Sequence, residues 1–140
     1  MNTSGGAGER VGYQYVVLRC VPRVDREEFV NVGVVLYSQR AAFLRCHAVV
    51  DVARIHAIAP GFDVSAVDGA LEAIVAVCEG RTSAGAPGQA SITDRFGFLA
   101  APRSTVVQPG PVHGGLTSDP ASELTALVAR LVMTPSADEG

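Results

Sequence analysis

A chain of 140 residues, 48% hydrophobic and 18% charged, fits one packed domain and excludes the low-hydropathy, high-charge signature of a disordered chain. Its 11 basic residues, all arginine, are outnumbered by 14 acidic ones, and a net charge of −3 argues against nucleic-acid binding through a broad positive surface. Cys20, Cys46 and Cys78 are odd in number, widely spaced and without a C-x-x-C pair, which argues against a disulfide scaffold or a zinc ribbon.

Residues 1–12 are small and polar, so a disordered N-terminal tail is expected there, without the basic and apolar stretches of a secretory leader. A β-branched and aromatic run, Tyr13 to Val21, reads as a strand ending at Pro22. Glu28 to Tyr37 and Phe43 to Val49 read as two more. The short links between them favour antiparallel neighbours, because a parallel return needs a crossover of about a dozen residues. Strict alternation would place Val30, Val32, Val34 and Leu36 on one face with Val16, Leu18 and Cys20, and with Leu44, Cys46 and Ala48. The other face then mixes Tyr13, Tyr15 and Phe43 with Arg19, Asn31, Arg45 and His47.

Asp51 is placed to cap a short helix carrying Val52, Ile55 and Ile58, stopped by Pro60-Gly61. From Asp63 the apolar residues Val64, Val67, Leu71, Ile74, Val75 and Cys78 follow helical spacing, with Gly80 as the C-terminal cap. That stripe is expected on the aliphatic face of the sheet. Residues 80–90 are Gly-rich and without period, and a flexible loop is expected. A short helix from Ser91 and a fourth strand at Thr105 to Gln108 come next, then a last helix opened by Asp119-Pro120, with Leu124, Leu127, Val128, Leu131 and Val132 as its stripe. After residue 133 a second disordered tail, 134–140, is expected. The fold class is therefore α+β, in one domain over 13–133: an antiparallel sheet of three to four strands with two main helices packed on one face.

No apolar run reaches the roughly 18 residues of a membrane span, and a cytoplasmic location with buried thiols is expected. The densest cluster of unusual residues is APRSTVVQPGPVHGGL, residues 101–116. Here Arg103 is suited to a bidentate grip on a carboxylate or phosphate, with Ser104, Thr105, Gln108 and His113 as polar neighbours. The plainer alternative is that these side chains tie down an irregular loop. A hydrolase would need Ser104 and His113 within hydrogen-bond reach, and no nucleophile elbow is present. The scattered Cys and His residues lack zinc spacing, so neither metal nor cofactor is expected. Gly33 interrupts a β-branched strand, which a bulge or the close approach of another backbone explains. Beside it, Asn31 is expected to bond an incoming loop, with the Arg103 segment as the candidate; in the functional version Asn31, Arg19, Arg45 and Tyr15 line a shallow site with Arg103. Aromatic and basic residues on a sheet face also raise single-stranded RNA, but no RNP-type motif is present.

In REEFVNVGVVLYS (26–38) and LAAPRSTVVQPGPVHGGLTSDP (99–120) the chain resembles a bacterial domain-of-unknown-function family of small proteins. That resemblance spans most of residues 13–133. It implies no activity, but members are often encoded beside HipA-like kinase proteins, so a HipA-like kinase is an expected partner. The expected function is a non-catalytic protein-interaction module; the alternative is a binder of a small anionic ligand or nucleotide at the Arg103 loop, and a hydrolase comes third. None of these features implies an oligomeric state.

Overall fold

The computed structural model describes residues 9–133, so residues 1–8 of the tail expected at 1–12, and all of the tail expected at 134–140, lie outside the described residues. The elements in chain order are β1 (Val11–Cys20), β2 (Val30–Ser38), β3 (Phe43–Ala48), α1 (Val52–Ile58), α2 (Ser65–Glu79), α3 (Ala86–Gln89), α4 (Ile92–Ala100), β4 (Val107–Pro109), β5 (His113–Thr117) and α5 (Pro120–Leu131). The α+β class and the antiparallel sheet are as expected, but the sheet has five strands rather than three to four. Its order is β3, β2, β1, and both β4 and β5 lie along the far side of β1. β4 pairs with Leu18–Cys20 and β5 with Val11–Tyr15, and the Gly110 amide donates to Val17 O at 2.8 Å between them. Pairing of Val11 with Thr117 also starts β1 inside the stretch expected to be tail.

Strand β2 corrects the alternation. Leu18 pairs with Gly33 but Arg19 pairs with Asn31, so Val32 is an extra residue and the strand changes phase there. Val30 and Val32 consequently share a core with Val16, Leu18, Cys20, Val35 and Tyr37, whereas Val34 and Leu36 belong to a second one. Gly33 also serves the second purpose raised for it, since a Cβ there would stand 3.1 Å from His47 O and 3.2 Å from Ala48 Cα of β3.

Both faces of the sheet are thereby covered. The first core packs against Ile55 of α1, Val67, Leu71, Ile74 and Val77 of α2, and Phe96 and Leu99 of α4. The second joins Val34 and Leu36 to Leu124, Leu127, Val128 and Val132, with Tyr13, Tyr15 and Phe43 at its margin. The two main helices, α2 and α5, are on opposite faces and not on one. The mixed row of β1 and β3 gives α5 enough aromatic surface to bury its stripe, so both faces can exclude water.

Local signals account for the helix ends. Asp51 accepts from the Arg54 amide at 3.2 Å, Ser91 from Asp94 at 3.2 Å, and Asp119 from Ser122 at 3.3 Å, each satisfying an orphan amide of the first turn. Gly80 ends α2 in the left-handed region at φ 68°. The expected loop at 80–90 contains two short helical pieces, the 3-10 turn Thr82–Ala84 and α3.

Candidate functional site

Among the described residues a groove of about 770 Å³ lies between α2, the 81–87 segment, the end of α4 and residues 103–107. Its apolar walls come from Ala73 and Val77 of α2, Pro87, Phe98 of α4, and Val107 of β4. Arg95 holds these walls together: Nη1 donates to Val77 O at 3.0 Å and Cys78 O at 2.8 Å, and Nε to Ala90 O at 3.0 Å. Its positive charge thus sits on the negative end of α2. Gly88 allows α3 to close against the preceding turn, because a Cβ there would lie 2.7 Å from Arg81 O.

Arg103 lines this groove. One Nη2–H donates to Phe98 O, Nε–H makes a long bond of 3.5 Å to Ala101 O, and the guanidinium lies 4.7 Å from the centre of the Phe98 ring. The side chain therefore caps α4 and rests on its last aromatic residue. Both Nη1 protons and the second Nη2 proton remain uncommitted, and among the described residues no carboxylate pairs with Arg103. Arg81, the other arginine of the groove, is already held by Glu79 at 2.6 Å.

The remaining candidate residues divide between this groove and the α5 face. Thr105 lines the groove, but its hydroxyl donates to Val107 O at 2.7 Å, and the Gln108 amide donates to Thr105 O at 3.0 Å. Ser104 is exposed beside Arg103. His113 is elsewhere, on β5, its ring 5.3 Å from that of Tyr15. Arg19 stacks on Phe29 at 4.2 Å, and exposed Arg45 on Phe43 at 4.8 Å. Asn31 donates to Leu131 O at the end of α5, at 3.0 Å, so the expected bond to the Arg103 segment is not made. The phase change at Val32 is the reason: it keeps Asn31 on the α5 side of β2. Arg19 Nε and Asn31 Oδ1, on directly paired residues, are buried without a hydrogen-bond partner.

Packing explains much of the unusual composition after residue 108. A Cβ on Gly110 would stand 3.2 Å from the Arg19 guanidinium, and one on Gly115 would stand 2.7 Å from Tyr13 Oη. Large β1 side chains thus lie over Gly110, in the link between β4 and β5, and over Gly115 of β5, and Tyr13 reaches Glu123 of α5 at 2.9 Å. Burial first, and then this bond, push the Tyr13 phenol up to about 12.

The cysteines are hydrophobic fillers. Burial pushes the thiols of Cys46 and Cys78 from an ordinary value of 9.0 up to about 12, which keeps the nucleophilic thiolate scarce. The unfolded chain gives up these protons first, so stability is full below the ordinary value and falls as pH rises toward the folded one. The urea midpoint is therefore expected to drop as pH rises from about 9 toward about 12, less steeply in Cys78→Ala; equal slopes would contradict this assignment. Among the described residues no cluster of three His, Cys, Asp or Glu side chains is arranged to hold a metal ion, and no helix is long and apolar enough to cross a membrane.

A family model described as "Protein of unknown function (DUF3037)" matches residues 15–132. No curated protein and no solved structure matches the chain.

Proposed function

We propose that this chain, which belongs to the family of proteins of unknown function DUF3037, is a non-catalytic binding module whose groove takes an amphipathic molecule with an anionic end. The observation that carries this reading is a guanidinium with uncommitted donors on the wall of an apolar groove. A volume of about 770 Å³ matches the range of small-ligand sites, which are mostly apolar with a few placed polar groups. Phe98 and the carbonyl it presents hold Arg103 in position before any ligand arrives, which lowers the ordering cost of binding. The hydrolase alternative has less support, because His113 packs on Tyr15 while Ser104 stands beside Arg103.

A suitable probe is 8-anilinonaphthalene-1-sulfonate, an apolar body with one negative charge. Saturable binding is expected, and Ala73→Trp, at an exposed position of α2, should weaken it by occupying part of the groove without changing the melting temperature by more than a few degrees. Unchanged binding in that variant would remove the groove from consideration.

A second reading keeps a protein partner, with a HipA-like kinase as the expectation raised by the resemblance. Support comes from β5, an outer strand whose Leu116 is 63% exposed and whose far side pairs with nothing among the described residues. Co-elution of the two proteins at micromolar concentration, abolished by Leu116→Lys, is the expected result; separate elution would count against it.

A further inference from the structure

We infer that the groove selects a monocarboxylate with an apolar body in preference to a phosphate monoester, an inference that rests on the groove reading above and narrows it. Donor geometry and charge together decide the class. Arg103 offers one end-on pair of N–H groups, the geometry that matches the two oxygens of a carboxylate. Of the two hydroxyl side chains that line the groove, Thr105 Oγ1 is already spent on Val107 O, which leaves Ser83. Arg81 is occupied as well, by Glu79.

Charge points the same way. The Arg103 guanidinium sits against Phe98 O and Ala101 O, carbonyls at the negative end of α4, and the carboxylate of Glu72 also lines the groove. One positive charge, offset in this way, suits a single negative charge. The second charge of a phosphate monoester would find the other arginine of the groove, Arg81, already paired with Glu79. Away from Arg103 the walls offer Ala73, Val77, Pro87 and Val107, and an aliphatic or aryl body would cover that surface.

Calorimetric titration of the full chain with octanoate, octyl phosphate and 1-octanol tests the inference, since the three share one body and differ at the head. Octanoate is expected to bind best, about tenfold tighter than octanol, the ratio expected for one charge-assisted pair on a half-open surface. Arg103→Gln should bring octanoate to the level of octanol and leave octanol unchanged. Arg103→Lys, which keeps the charge but not the paired donors, should recover only part of the difference. Octyl phosphate binding tighter than octanoate, or octanol equalling it, would overturn the carboxylate assignment and leave the groove reading standing. If none of the three binds and the naphthalene sulfonate also fails, the groove reading falls with it. The comparison within the unaltered protein holds even if a variant does not fold.

Discussion

Leu127→Ala is expected to lower the unfolding free energy by about 2–5 kcal/mol, the loss seen when a large aliphatic side chain leaves a cavity in a close-packed interior. Leu127 is 0% exposed and belongs to the core that joins α5 to Val34 and Leu36 of β2. A helix resting loosely on a mixed, half-wet sheet face would lose well under about 1 kcal/mol from the same change. Urea unfolding distinguishes these outcomes. A shifted midpoint with an unchanged slope would place the loss in the native packing, and a shift below about 1 kcal/mol would contradict a second core.

That second core marks where sequence reasoning stopped. Caps and periodicity were legible because they are local: Asp51, Ser91 and Asp119 each bind an amide three positions ahead, and Gly80 has the backbone conformation its place after α2 demands. The assignment of α5 was not local. Its stripe fitted either face of the sheet, and the phase change at Val32 hid the aliphatic pair, Val34 and Leu36, that receives it. Strand β5 escaped for another reason. His113-Gly114-Gly115 has no β-branched residue, and its pairing depends on Tyr13 lying over Gly115, a contact between residues about a hundred positions apart.

The candidate site was legible in part. Arg103 stood out as a cation among turn-forming residues, and the structure does give it an apolar setting and uncommitted donors. Nothing in the sequence tied it to α2, because the groove is made by the way Arg95 draws the carbonyls of Val77 and Cys78 toward Ala90. Arg95 reads as an ordinary charged residue on an amphipathic helix. Conversely, Asn31, Arg19 and Tyr15 looked like site residues because they were polar or aromatic on a strand, and their neighbours are α5, Phe29 and His113.

Gly33→Val is expected to cost about 1–3 kcal/mol by overpacking, although valine is the better strand former in isolation. The nearest atoms to a new Cβ would be His47 O, Ala48 Cα and Ala48 Cβ, at 3.1 to 3.3 Å, mainly backbone of β3 rather than the movable end of a side chain. Relief would require β3 to move away from β2, where Gly33 pairs directly with Ala48, or would require the bulge to slide. Sliding by one residue would exchange the faces of Val34 and Val35, and with them the two cores. Gly12→Val is the matching control. It places the same side chain in β1 where nothing stands within 4 Å of a new Cβ, and it should be neutral or slightly stabilising. Thermal unfolding of the two variants side by side separates close backbone approach from strand propensity: equal midpoints would show that Gly33 is dispensable, and that the bulge rests on Val32 and its neighbours alone.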